Sequence, residues 1–216
     1  QNFAGVRPFE LKISALNNTK ILDFENAKDI EKLERFLSKN YTNNGVGFML
    51  SPIEPLKMAY YIKHKNNINY YCLPTSEKKY NSLNNQLVSF QNKYSDSLSL
   101  NNNLLSKDSV YGRISGKIED IGGYAIKYEN EKLFSFIKDS IQNKNLSLQL
   151  TGTAVLIDKN NESLAKQLLT GLLFALIMIG IIMAIVFKSI KMVIISIIPN
   201  IIPLLAIAGL MYILNF

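Results

Sequence analysis

The 216-residue sequence predicts an α+β fold: a split βαβ sandwich with a helical insertion, followed by a two-helix transmembrane hairpin. A strand–helix–strand pattern occurs twice within residues 1–163, and from Leu164 onward the chain is almost wholly apolar. The mean hydropathy of +0.07 averages these two unlike parts.

The elements follow in order. Phe9, Leu11, Ile13 and Ala15 alternate with Glu10, Lys12 and Ser14, the period of a half-buried strand. Asn26 to Asn40 reads as an amphipathic helix with Ile30, Leu33, Phe36 and Leu37 on one face, and Val46 to Leu50 as a short apolar strand. An insertion, 51–108, comes next and reads as helical. Ser51-Pro52-Ile53-Glu54 has the form of a capping box with proline at the first helical position. After a turn at Pro74, the spacing of Tyr80, Leu83, Leu87, Phe90 and Tyr94 predicts a returning helix, and the Asn- and Ser-rich stretch Ser95 to Ser106 a loop. The insertion's tyrosines and Met58 suit either plain core or the lining of a greasy path, core being the commoner use.

The pattern then recurs. Val110, Ile114 and Ile118 stand among polar residues as a strand, and Gly122-Gly123 ends it. Asp120 is expected to cap the helix that follows. That helix spans Tyr124 to Asn143, with Ile126, Leu133, Phe134, Ile137 and Ile141 at helical spacing. Leu146, Leu148, Leu150, Gly152 and Ala154 alternate as a last strand, which is expected to run through Leu156 almost directly into the apolar segment. Two strand–helix–strand units of this kind build a ferredoxin-like split βαβ sandwich with both helices on one face.

Leu168 to Phe187 carries no charge, and 20 residues at a rise of about 1.5 Å cover roughly the 30 Å of a hydrocarbon core. A second apolar run, Met192 to Phe216, follows the short turn Lys188-Ser189-Ile190-Lys191. A buried hairpin inside a soluble protein is the alternative, but the remaining chain has too little apolar surface to cover two such helices. The expected division is therefore an outer domain, 1–163, and two transmembrane helices within 164–216, at about 168–187 and 192–215. Lys188 and Lys191 put the turn on the cytoplasmic side and the first domain outside. Pro199 and Pro203 each remove a backbone donor, so a kink or break is expected there, with the polar Asn200 turned from lipid. The kink reads equally as a packing feature or as a hinge. Gly171, Gly180 and Gly209 would admit close helix approach.

Other functions are excluded by what the chain lacks. Of the formal charge of +7, three units come from Lys166, Lys188 and Lys191 in the tail, and the other lysines are mixed with Asp and Glu. No Arg-rich stripe is present, so nucleic acid is not an expected partner. Cys72 is alone, which rules out an internal disulfide or a multi-cysteine metal site. The single His64 lies in Lys63-His64-Lys65, read as a solvated helix face. Glu119 and Asp120 are adjacent and cannot pair on one strand face, and no phosphate loop, HExxH or Ser-His-Asp set occurs. No enzyme, cofactor or metal is expected. The sequons at Asn17 and Asn161 are what an Asn-rich chain produces by chance. The start at Gln1 and the end on an apolar helix suggest a piece of a larger protein.

Four pieces carry a resemblance: Thr151-Gly152-Thr153-Ala154, the apolar helix, Phe187-Lys188-Ser189-Ile190-Lys191, and Pro199-Asn200-Ile201-Ile202-Pro203-Leu204. In that order the chain resembles the resistance–nodulation–division (RND) superfamily, in its MMPL-like exporter branch. Gly5-Val6-Arg7-Pro8-Phe9-Glu10 is similar to the entry of the second extracytoplasmic loop in such exporters. The resemblance implies a fragment of a twelve-helix, proton-driven exporter of lipids or other hydrophobic molecules in the bacterial inner membrane. Residues 1–163 would then be a periplasmic porter domain, and the partners would be membrane lipid, further transmembrane helices and other copies of the chain. The family's proton-relay acids belong to the next helix, beyond this sequence. Two other functions stay open: a membrane-anchored sensor or scaffold, and a protein-translocation accessory of the same superfamily.

Overall fold

Alternation along the first strand fixes one face of a four-stranded sheet. The computed structural model describes residues 5–42, 44–93, 104–141 and 144–213. Its elements are β1 (Arg7–Ala15), α1 (Phe24–Lys39), β2 (Gly47–Leu50), α2 (Glu54–Lys63), a 3₁₀ turn (Ile68–Tyr70), α3 (Glu77–Lys93), β3 (Tyr111–Ile118), α4 (Gly123–Ser140), β4 (Leu146–Thr151), α5 (Thr153–Phe187) and α6 (Ile190–Ile213). The chain divides into two compact units, Gln1–Asp158 and Lys159–Phe216.

In the first unit the strand order is β2-β3-β1-β4, and every pairing is antiparallel. Phe9, Leu11, Ile13 and Ala15 are buried on the same side of β1. Leu11 faces Ile114 on β3 and Leu150 on β4, so the apolar row crosses the sheet. Ala27, Ile30, Leu33 and Leu37 of α1 and Ile126 and Leu133 of α4 complete the core. Full burial of each large aliphatic side chain contributes about 1.5–3 kcal/mol. α1 and α4 meet through Phe36 and Phe136, stacked with ring centroids 4.2 Å apart. Two core-facing positions on β3 are glycines because nothing larger fits. A Cβ on Gly116 would lie 2.4 Å from Val46 Cγ1, and one on Gly112 would lie 2.9 Å from Ile21 Cδ1.

Several local expectations change. Ser51 does not cap α2, whose N-cap is Ile53 with no side-chain cap bond and whose early proline is Pro55. The Ser51 hydroxyl instead donates to the buried carboxylate of Glu34, a charge-assisted bond stronger than a cap. Asp120 likewise is not the N-cap of α4; Gly122 is, at φ 81°. Asp120, two residues earlier, accepts from the Gly122 amide at 3.3 Å. Phe134 lies outside the core of α4, and Phe136 makes the contact with α1 in its place. The last strand ends at Thr151, since Gly152 at φ 93° turns the chain and helix starts at Thr153. His64 is no solvated helix face: its ring stacks on Tyr70 at 4.0 Å and meets Tyr60 edge-on at 4.3 Å. Tyr80 and Leu83 of the returning helix are buried as expected. Tyr94, most of the Ser95–Ser106 loop, Gln142 and Asn143 lie outside the described residues.

In the second unit α5 runs on from residues of the first, and 18 of its residues average a hydropathy of 2.8. Among the described residues it is the one helix long and apolar enough to cross a membrane. α6 is shorter in its apolar run and remains helical through both internal prolines, with no break. Ile190 and Lys191, expected in the turn, already belong to α6, so only Lys188 and Ser189 link the helices.

Candidate functional site

The feature that separates this chain from an ordinary α+β domain is the place where β4 gives way to α5. Glu10 of β1 pairs with Thr151, and the next residue, Gly152, turns with its α-carbon against Glu10. A Cβ there would lie 3.0 Å from Glu10 Cβ, and φ 93° is a conformation that favours glycine. The Leu156 amide then donates to the Gly152 carbonyl at 3.2 Å, which starts α5. Ala154 is buried beneath its first turn.

One cation ties that turn to the sheet. Odd-numbered residues of β1 face the core, and the first of them is Arg7. Its guanidinium donates to the Asp158 carboxylate of α5 and lies 3.6 Å from Asp120, just before α4. The Arg7 side chain is 14% exposed and those of Asp158 and Asp120 are 29% and 60% exposed, so Asp158 is the better sheltered partner. Beside it Tyr41 donates its hydroxyl to Asn130 Oδ1 at 2.6 Å, and its ring tilts against Phe9 at 5.1 Å. Burial pushes the Tyr41 hydroxyl far above its ordinary value, outweighing the pull of Arg7, so it stays a donor. The space enclosed by Arg7, Tyr41, Asn130, Ala154 and Asp158 is about 20 Å³. That is room for a single water and too little for a ligand.

A second buried ionic cluster holds the insertion to α1. Lys57 Nζ lies 2.7 Å from both Glu34 and Glu54, and the Tyr71 hydroxyl donates to Glu54. Burial drives the Glu34 carboxyl above its ordinary value, against the pull of Lys57 and Ser51. Lys57 is also raised, its burial outweighed by the two carboxylates. The two shifts are compatible, because Lys57 draws on two carboxylates while Glu34 bears the cost of burial. The Leu73 amide donates to Glu31 at 2.9 Å, and the Tyr80 hydroxyl to the Leu22 carbonyl at 2.8 Å, so the insertion is fastened at several points between Ser51 and Tyr80.

The residues singled out in the apolar tail stand as follows. Lys188 ends α5 in the left-handed conformation, φ 49°, with its amide bonded to the Ala184 carbonyl at 3.0 Å. The Val193 amide bonds the Ser189 carbonyl at 3.3 Å, placing Lys191 in the first turn of α6. Pro199 and Pro203 lie inside α6 and, lacking N–H groups, leave the carbonyls of Ile195 and Pro199 without their helical donors. Asn200 sits between them on the helix. Of the three glycines, Gly180 has a close neighbour: a Cβ there would lie 3.4 Å from Ile197 Cδ1 of α6. Neither Gly171 nor Gly209 has one within 4 Å.

The family model for the MMPL family matches residues 74–216, from the turn before α3 through β4, the junction and both apolar helices. The chain belongs to the MMPL family. Members of this family are membrane-associated transporters of the RND superfamily, not enzymes. No curated protein matches the chain. Within the MMPL match lie Asp120, Asp158 and the whole of α5, whereas Arg7, Glu34 and Lys57 precede it.

The sequence pattern did not single out Arg7, Asp158, Glu34 or Lys57 as structural anchors. The signal was present: each is a charge on an otherwise apolar stripe. Arg7 keeps the period of Phe9 and Leu11, Asp158 follows Ala154 by four residues, Glu34 follows Ile30 by four, and Lys57 follows Ile53 by four.

Proposed function

We propose that this MMPL chain is part of a proton-driven exporter that moves lipids or other hydrophobic molecules from the bacterial inner membrane. In this reading the first unit is a ferredoxin-like porter domain on the periplasmic side, a view supported by the strand order β2-β3-β1-β4 and the two interleaved βαβ units. α5 and α6 form a transmembrane hairpin, the second and third helices of a six-helix half, with Lys188 and Lys191 at the cytoplasmic turn. Further helices, surrounding lipid and other copies of the chain complete the machine.

The observation that carries the proposal is that one helix, α5, both begins at the sheet through Gly152 and Arg7–Asp158 and has the apolar length of a membrane span. A joint of this kind converts movement of the domain into tilt or rotation of the helix. Pro199 and Pro203 supply the compliance α6 needs to follow, because each removes a ladder hydrogen bond. No Asp or Glu occurs from Leu164 to Phe216, so the acid that carries the proton belongs to another helix.

The test is efflux from proteoliposomes of the full-length transporter loaded with a fluorescent fatty-acyl lipid, with and without an imposed pH gradient. Movement of the lipid that depends on the gradient, and is accompanied by proton flux, is the expected result. Equal movement with and without the gradient would refute proton-driven export.

A further inference from the structure

The groove between α2 and α3 lies apart from the junction and from the Glu34–Lys57 cluster. Its walls carry Tyr60, Lys63 and His64 from α2 and its end, and Lys78, Lys79 and Leu83 from α3. Its volume is about 290 Å³, at the small end for a ligand site and suited to a headgroup more than to a whole amphiphile. Among the described residues no carboxylate lines it. Other cations of the unit sit beside carboxylates, among them Lys32 with Asp29, Arg35 with Glu31, Lys57 with Glu34, and Lys132 with Glu129. Among the described residues Lys63, Lys78 and Lys79 make no ion pair. Three lysines therefore line one concavity with no carboxylate among its described lining, and a bound anion would offset their like charge.

The imidazole of the groove is held in place by its neighbours. The His64 ring is sandwiched against Tyr70 with an interplanar angle of 7°, and Tyr60 meets it edge-on. Its Nδ1 lies 2.8 Å from the Tyr60 carbonyl oxygen, which can only accept, so Nδ1 carries a hydrogen. Nε2 is then the ring nitrogen left to engage a ligand. A fixed imidazole beside three mobile ammonium groups, with Tyr60 and Leu83 as apolar lining, matches the demand of a phosphate ester: several oxygens, one or two negative charges and a carbon-bearing side.

We propose that this groove binds a phosphate monoester or diester, borne by a lipid headgroup or by a soluble phosphorylated molecule. The site stands independently of the export reading, since it asks only for binding to the first unit.

His64 is the single histidine of the chain, so its ring proton and nitrogen resonances report on the groove without ambiguity. The experiment titrates the full chain, in nanodiscs of phosphatidylcholine, with glycerol 3-phosphate, with dihexanoyl phosphatidylglycerol and with dihexanoyl phosphatidylcholine while those resonances are followed. A saturable shift with both anionic probes supports the site and assigns the phosphate ester itself as the ligand. A shift with the phosphatidylglycerol alone supports it and assigns a lipid headgroup. In either case the double variant Lys78→Gln, Lys79→Gln is expected to weaken binding roughly ten-fold. Both lysines are exposed, and an unchanged near-ultraviolet tyrosine spectrum would show the fold intact. No shift with either anion, an equal shift with the choline lipid, or unchanged affinity in the double variant would overturn the proposal.

Discussion

Replacing Asp158 with alanine should loosen the first turns of α5 while leaving the sheet intact. Arg7 would keep only Asp120, 3.6 Å away and largely solvated. Breaking a fully buried pair costs about 3–5 kcal/mol. Here the Asp158 side chain is 29% exposed, so water screens part of the attraction, and alanine's helix propensity returns about 0.5 kcal/mol. A local cost of about 2 kcal/mol remains, equivalent to a roughly 30-fold rise in the open population. Hydrogen exchange of the amides of 155–159 in detergent micelles reads that population directly. The double replacement Arg7→Leu, Asp158→Leu should restore most of the protection, because a matched apolar pair carries no desolvation penalty. Exchange in Asp158→Ala within threefold of the unaltered chain would refute the idea that this pair secures α5.

Three further outcomes are expected. Because the Glu34 carboxyl is raised above 4.5 in the folded chain, its contribution to stability is fully present below pH 4.5 and lost as the pH climbs through the raised value. Thermal melts from pH 4 upward, followed by near-ultraviolet tyrosine dichroism, should show that decline, and Glu34→Gln should flatten it; all of the 11 tyrosines but Tyr212 lie in the first unit, so the signal reports there. Gly116→Ala should cost about 1–3 kcal/mol, since the added methyl meets the stiff Val46 side chain, and Val46→Ala should recover part of the loss in a denaturant titration. Pro199→Ala with Pro203→Ala should leave the protein inserted and folded but slow lipid efflux from proteoliposomes, and unchanged efflux would dismiss the hinge.

The elements that announce themselves in the sequence are those whose period is set by burial. β1, α1, β3 and α4 each alternate or repeat against one core, and Leu11, Leu33, Ile114 and Leu133 are fully buried. Local chemistry was harder to foresee where a tertiary partner competes. Ser51 had the spacing of a cap, but a buried carboxylate 17 residues earlier claims its hydroxyl. The change from strand to helix at Gly152 was hidden because Leu150, Gly152, Ala154 and Leu156 continue the alternation; the left-handed glycine against Glu10 decides it. Pairing between Arg7 and Asp158 spans 151 positions, and no local pattern links residues so far apart. His64 among lysines looked solvated because Tyr60 lies one turn earlier and Tyr70 comes from a separate 3₁₀ turn.

The central claim is that α5 carries the chain from an outer domain across the bilayer, and the lone cysteine offers the most direct test. Cys72 is partly exposed in the first unit, and burial raises its thiol, so labelling belongs at mildly alkaline pH. A membrane-impermeant maleimide would be applied to spheroplasts expressing the unaltered protein, and to spheroplasts expressing Ser189→Cys in a Cys72→Ser background. The expected result is modification of Cys72 from outside, with position 189 reacting only after the membrane is permeabilised. Modification of both positions from the same side would contradict the claim and leave α5 lying along the membrane or outside it.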